Sequence, residues 1–128
     1  MAYVYANLNP MRRHTNDCVI RAIALVTGMS WEETYMELAN QGLALCDLME
    51  NNSTWGTYLK EHGWIQGILP NTCPVCYTLK DFCNDYPIGT YLVATGSHLI
   101  GVVNSDYYDT TDSGSEIVTY FFRKDGII

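Results

Sequence analysis

Residues 15–28 have the sequence TNDCVIRAIALVTG, in which a cysteine follows an Asn-Asp pair and opens an apolar, alanine-rich run. This run predicts a helix over residues 18–27, because any of residues 15–17 can cap its start and Gly28 is typical of a helix end. Cys18 then stands in the first turn. There the unpaired backbone amides and the positive end of the helix dipole stabilise a thiolate and can also hold an oxyanion. Cys18 is therefore a candidate nucleophile, although a cysteine at a helix start is also often a packing residue.

Outward from this helix, the sequence changes from helical patterns to strand patterns. A capping box formed by Ser30 and Glu33 opens a second helix, and Thr78 with Asp81 forms a similar pair before a short one. Together the patterns predict helices over 18–27, 31–40, 54–62 and 79–84, and strands over 64–69, 89–95, 98–103, 107–111 and 117–123. We expect an α+β fold in a single domain, 1–128, with N-terminal helices and the Cys18 helix packed on a C-terminal antiparallel sheet.

Composition and charge exclude several classes of function. The chain has 128 residues with 14 acidic and 7 Lys or Arg side chains, giving a net charge of −7, and it lacks the clustered cations that bind a phosphate backbone. No apolar run approaches the ~20 residues of a membrane span, and the N-terminus does not resemble a signal peptide. We therefore expect a cytoplasmic protein with no nucleic-acid or membrane partner. Its five cysteines cannot all pair within one chain, which favours reduced thiols.

A later segment supplies a histidine and acids that could serve a reactive thiol. Asn104-Ser105 is a plausible two-residue hairpin turn. With this turn, the numbers of opposite residues on the two strands sum to 209, which puts His98 opposite Thr111. Asp109 is then a diagonal neighbour of His98 on the same face and can hold the imidazole in one tautomer. Asp112 has the opposite parity and becomes the orienting acid only if the register shifts. Alone, His98 would be interpreted as an ordinary half-buried histidine.

A helix that begins with a cysteine, followed by strands that carry a histidine and then an aspartate, resembles a known superfamily. The stretches TNDCVIRAIALVTGMSWEETY, TLKDFCNDYPIGTYLVATGSHLIGVV and YYDTTDSG are similar to small papain-like cysteine peptidase relatives encoded by phages and prophages. The resemblance covers residues 14–123. It implies a papain-like fold and a cysteine peptidase-like hydrolase with Cys18 as nucleophile, His98 as general base and acid, and Asp109 as the orienting residue. It also implies a protein or peptide substrate and, if the chain is phage-encoded, the cytoplasm of the bacterial host.

One position departs from the papain pattern. Papain-like peptidases carry a glutamine six residues before the nucleophile as an oxyanion donor, whereas this chain has Arg12 there. Asn16 is the better local amide, with the backbone N–H of Cys18 as the second donor. Arg12 and His14 are further candidates. The departure puts the oxyanion hole, and with it efficient hydrolysis, in question.

Two other interpretations compete with a hydrolase. Cys73-Pro-Val-Cys76 has the C-x2-C spacing of a zinc knuckle, and Cys83, with Cys46 or His62, could complete a site. A single C-x2-C is a weak signal, so we predict no metal and no cofactor. The second alternative is a non-catalytic phage-derived module that keeps the fold and binds or inhibits a host protein through an acidic, tyrosine-rich surface.

Overall fold

The computed structural model describes residues 1–69 and 75–124. Within these residues the chain forms an α+β structure, with helices that pack on a mixed six-stranded sheet. The elements, in chain order, are β1 (Tyr3–Tyr5), α1 (Cys18–Thr27), α2 (Trp31–Leu45), α3 (Asn52–Glu61), β2 (Trp64–Ile68), α4 (Leu79–Asp85), β3 (Thr90–Thr95), β4 (Leu99–Val103), β5 (Asp106–Asp109) and β6 (Val118–Lys124).

The strand order is β1-β5-β4-β3-β6-β2, which corrects the predicted antiparallel sheet of sequential strands in two ways. β1 pairs with β5 in parallel, so the sheet is mixed. β6 does not follow β5 at the edge; it returns to pair with β3 on one side and β2 on the other, antiparallel to both. Strand patterns along a chain identify the strands but not their non-sequential neighbours, which depend on packing of the whole sheet.

Both faces of the sheet are covered, and the alternation of side chains along the strands divides the core between them. On one face α1, α2 and α3 pack on residues such as Leu92, Leu99 and Phe122. On the other face α4 packs on residues such as Val93 and Ile100. Burial of a large apolar side chain contributes about 1.5–3 kcal/mol, so the two clusters together hold α1 and α4 against opposite sides of the same central strands.

The helix α1 lies directly against β4, as predicted for the nucleophile helix. Gly101 allows this approach, since a Cβ atom there would come within 2.9 Å of a Leu25 methyl carbon and 3.1 Å of a Val26 methyl carbon. Gly28 ends α1 in the left-handed conformation, with φ of 76°. The predicted bounds of α1 are confirmed, whereas α2 continues to Leu45, beyond the predicted end near residue 40.

The hairpin between β4 and β5 has the predicted turn and register. Asn104 and Ser105 both have positive φ, 48° and 75°, as a tight two-residue turn requires. The paired residues sum to 209, but the ladder ends at Gly101↔Tyr108 and includes no pair nearer to His98. His98 itself lies just before β4 rather than within it.

No helix among the described residues combines the length and the apolar character needed to cross a membrane.

Candidate active site

Cys18 and His98 line the same cavity, which has a volume of about 150 Å³. Cys18 is partly exposed at the first residue of α1. His98 lies between β3 and β4, at the end of the sheet that faces the start of this helix. Asn16 also lines the cavity, and Trp55 and Tyr120 contribute aromatic side chains to its wall. The predicted nucleophile, base and amide donor therefore line one solvent-accessible cleft.

The first turn of α1 keeps its backbone amides available because the residue that could cap them is used elsewhere. Asp17 is the N-cap residue, yet its side chain makes no capping hydrogen bond. Its carboxylate accepts hydrogen bonds from Arg21 at 2.7 Å, Trp31 at 3.0 Å and Asn9 at 3.1 Å. An uncapped helix start is a site at which backbone N–H groups attract negative charge. The first-turn amides beside the Cys18 thiol are thus placed to stabilise an oxyanion.

Buried Asp17 remains ionised because of its partners. Burial raises the pKa of its carboxyl, but the hydrogen bonds from Arg21, Asn9 and Trp31, together with the charge of Arg21, outweigh this effect and hold the pKa below its ordinary value. Arg21 also lies 3.5 Å from a carboxylate oxygen of Asp109. One guanidinium therefore links the residue before Cys18 to the end of β5.

The partner of the His98 imidazole is Glu116. Its carboxylate oxygens lie 2.9 and 3.0 Å from His98 Nδ1. Thr95 joins the same cluster, since its hydroxyl donates to Glu116 at 2.7 Å and accepts from the His98 backbone N–H at 3.1 Å. In the described part of the chain, His98 Nε2 makes no hydrogen bond. A carboxylate on Nδ1 orients the ring and leaves Nε2 as the nitrogen for proton transfer.

The backbone around Glu116 is held by the start of α4. The Glu116 carbonyl accepts from the N–H of Leu79 at 2.9 Å, and its own N–H donates to the Ser113 carbonyl at 3.0 Å. A capping box between Thr78 and Asp81, predicted from the sequence, fixes this first turn of α4. The Glu116 carboxylate therefore lies on a loop before β6 whose backbone is fixed by hydrogen bonds.

The predicted pairing of His98 with Asp109 is wrong. Asp109 is buried, and its carboxylate accepts from Ser113 Oγ at 3.0 Å and from the Thr110 N–H at 2.7 Å, with Arg21 beside it. The prediction extrapolated the β4–β5 ladder to His98. That ladder stops at Gly101↔Tyr108, three residues short of His98, and β5 itself ends at Asp109.

The alternative acid, Asp112, does not contact His98 either. Its carboxylate accepts from the Tyr107 hydroxyl at 2.6 Å and from the Gly114 N–H at 3.0 Å. Both hydrogen bonds hold the pKa of Asp112 below its ordinary value, and the one from Tyr107 has the larger effect. Asp112 therefore stabilises the turn that follows β5 and has no direct part in orienting the imidazole.

The candidate oxyanion donors differ in whether they line the cleft. Asn16 is exposed at the rim of the cleft. Arg12 and His14 are exposed as well, but neither lines the cavity that contains Cys18 and His98. Asn16 and the Cys18 backbone N–H therefore remain the candidate donors.

The other cysteines differ in exposure. Among the described residues Cys46 and Cys76 are exposed free thiols, and burial raises the pKa of Cys83 to about 11. Cys73, which the zinc alternative requires, lies outside the described residues. Within the described ranges no group of three or more His, Cys, Asp or Glu side chains is arranged to hold a metal ion.

Glu116 is the site residue that sequence reasoning missed. No local sequence signal identifies it, because its position depends on the pairing of β6 with β3, in which Thr95 lies opposite Val118. That pairing brings the residues before β6 next to the residues after β3, where His98 lies. Comparisons of the chain with protein-family models, curated proteins and solved structures found no match.

Proposed function

We propose that this protein is a cysteine-dependent hydrolase of the papain-like type, acting on an amide bond in a peptide or protein. The observation that carries the proposal is that Cys18, His98 and Asn16 line one cleft while Glu116 contacts His98 Nδ1. A thiol and an imidazole that line one cleft, with a carboxylate on the other ring nitrogen of the imidazole, are the parts of a nucleophilic triad. Glu116 takes the orienting role that the sequence had suggested for Asp109.

Each residue has a distinct role in the proposed reaction. His98 Nε2 accepts the Cys18 proton, and the thiolate sulfur attacks the carbonyl carbon to form a tetrahedral intermediate. The Cys18 N–H and Asn16 stabilise its oxyanion. The imidazolium donates its proton to the leaving amine as the C–N bond breaks. Water, deprotonated by His98, then hydrolyses the acyl-enzyme and releases the acid and the thiol.

Alkylation of individual cysteines tests this proposal. We expect iodoacetamide at neutral pH to modify Cys18 faster than a model thiol, with Cys46 reacting like the model thiol and buried Cys83 reacting slowly. Peptide mapping by mass spectrometry gives the separate rates. Cys18→Ala should remove the fast phase while changing the free energy of unfolding by less than about 2 kcal/mol, since a small, partly exposed side chain leaves little cavity.

A Cys18 rate equal to that of the model thiol would contradict the catalytic proposal. It would favour the rival interpretation, a non-catalytic module that binds another protein. In that interpretation the acidic surface, which gives the net charge of −7, would be the surface that binds the other protein. A collapse of the fold in Cys18→Ala would instead identify this cysteine as structural.

The orienting role of Glu116 gives a second prediction. Glu116→Gln should slow alkylation of Cys18 about fivefold, because an amide oxygen stabilises the imidazolium about 1 kcal/mol less than a carboxylate does. The matched control is Asp112→Asn, which removes a carboxylate from the neighbouring turn and should leave the rate unchanged. A larger effect of Asp112→Asn would show that Glu116 is not the acid that acts on His98.

A further inference from the structure

A second cavity adjoins the cleft and has a different chemical character. Its volume is about 240 Å³ and it lies between α1, α2 and the segment that joins α2 to α3. The two cavities share Asn16, Val19 and Glu50 as boundary residues. Since Val19 directly follows Cys18, a molecule that reacts with the thiol can extend into this neighbouring space without leaving the surface.

The wall of the second cavity is largely apolar and is held in place before any ligand binds. Trp31 stacks on Tyr35 with ring centroids 5.3 Å apart, and its indole N–H donates to Asp17 at 3.0 Å. Ile20 and Leu38 form a floor that belongs to the main hydrophobic cluster. Preorganised walls of this kind reduce the entropic cost of binding.

The opposite wall comes from the segment between α2 and α3, which supplies Met49. This segment is anchored by Asp47, whose carboxylate accepts from the Leu48 N–H at 2.8 Å and from the side chains of Asn51 and Ser53 at 2.7 and 3.0 Å. Methionine adapts to the shape of an apolar partner. A cavity of about 150 Å³ is already large enough for a benzene ring.

Charge defines what this cavity accepts. The two acids in its lining have different environments: Asp17 is paired with Arg21, whereas Glu50 is exposed and, within the described chain, has no hydrogen-bond or ion-pair partner. Among the residues that the structure describes, no Lys, Arg or His lines either cavity except His98. An anionic group entering at the shared boundary would meet the uncompensated carboxylate of Glu50.

We infer that this second cavity is a specificity subsite for an uncharged aromatic or large aliphatic side chain of a peptide substrate, and that Glu50 excludes an acidic one. The inference rests on the proposed function, because the subsite is defined by the boundary that it shares with the cleft containing Cys18. It assigns the substrate class as peptides in which a large hydrophobic residue lies close to the scissile carbonyl and no acidic residue adjoins it.

Three alkylating probes test the subsite: iodoacetamide, N-benzyl iodoacetamide, and N-(4-carboxybenzyl) iodoacetamide. The measured quantity is the rate at Cys18 divided by the rate at a neutral model thiol, obtained by peptide mapping of the full chain. We expect the benzyl probe to exceed iodoacetamide about tenfold in this ratio, as burial of an aromatic ring in the cavity implies. The carboxybenzyl probe should lose most of that advantage.

Two substitutions with matched controls assign the effect to this cavity. Tyr35→Ala should lower the benzyl preference at least about threefold by removing part of the wall, whereas Met36→Ala, at an exposed neighbour outside the cavity, should leave it unchanged. Glu50→Gln should restore reaction with the carboxybenzyl probe, whereas Glu61→Gln, at the exposed end of α3, should not.

The outcomes separate this inference from the proposed function. Fast reaction of Cys18 with iodoacetamide but no benzyl preference would overturn the subsite and leave the hydrolase proposal intact. A benzyl preference with an iodoacetamide rate equal to that of the model thiol would support the subsite and contradict activation of the thiol. An equal loss in Tyr35→Ala and Met36→Ala would assign the preference to the general surface of α2 and overturn the inference.

Discussion

In the His98→Ala variant, the rate at which iodoacetamide alkylates Cys18 is expected to fall to that of a free model thiol at the same pH. The reason is that the proposed mechanism makes His98 Nε2 the proton acceptor, because Nδ1 is engaged by Glu116. Without an adjacent base, the thiolate forms only as it does in solution. Turnover of a peptide substrate should fall by about 10²- to 10⁴-fold, the usual contribution of general acid–base catalysis.

The control for this variant is His62→Ala. His62 stacks on Tyr58 with ring centroids 4.1 Å apart, at the end of α3, and does not line the cleft. Its removal should leave the alkylation rate of Cys18 unchanged, as read by the same peptide mapping. If His98→Ala retained fast alkylation, the helix terminus alone would account for thiol reactivity and His98 would not be its base.

The second large effect is on stability and concerns Arg21. In the Arg21→Met variant the carboxylates of Asp17 and Asp109, whose side chains are only 4% and 6% exposed, lose their shared cation. Removing one partner from a buried ion pair typically costs about 3–5 kcal/mol, because a charge is left buried without compensation. We expect the free energy of unfolding, measured by urea denaturation, to fall by this amount.

Arg123→Met is the control for charge removal, since Arg123 is exposed on β6 and should contribute within about 0.5 kcal/mol. The double variant Arg21→Met with Asp17→Asn should recover part of the lost stability, because only one buried charge then remains. A loss below about 1 kcal/mol in Arg21→Met would mean that the network behaves like a surface ion pair.

The ion pairs of Arg21 also predict how the stability of the protein depends on pH in the acidic range. The pKa of Asp17 in the folded protein lies below its ordinary value, so the unfolded chain binds the proton more readily. The stabilisation from Asp17 is therefore fully present above the ordinary carboxyl pKa of about 4 and is lost as the pH falls through the folded-state pKa. Asp17→Asn should flatten this part of the pH profile.

Local features of the sequence predicted much of this architecture. The bounds of α1, the capping boxes at Ser30 and Thr78, and the turn at Asn104-Ser105 all follow from side chains within a few residues of one another. Such features depend on backbone geometry and short-range hydrogen bonds, which a sequence pattern expresses directly.

The acid that contacts His98 could not be predicted in the same way. Glu116 lies 18 residues from His98 along the chain, and the two meet only because β6 pairs with β3. The hairpin that contains Asp109 was correctly registered, yet a correct register gives contacts only as far as the ladder continues. The positions of residues beyond the last pair of the β4–β5 ladder depend on the packing of the whole sheet and not on the turn.

The position of β6 also has a consequence for folding. This last described strand inserts between β2 and β3, so its pairing partners precede it by about 25 to 60 residues, and contacts of such sequence separation form slowly. Until they form, Glu116 is not beside His98, although α1 and the β4–β5 hairpin can already exist as local structures. A chain with an incomplete sheet therefore exposes the thiol without the imidazole–carboxylate pair, and alkylation of Cys18 should reach its full rate only when β6 has paired.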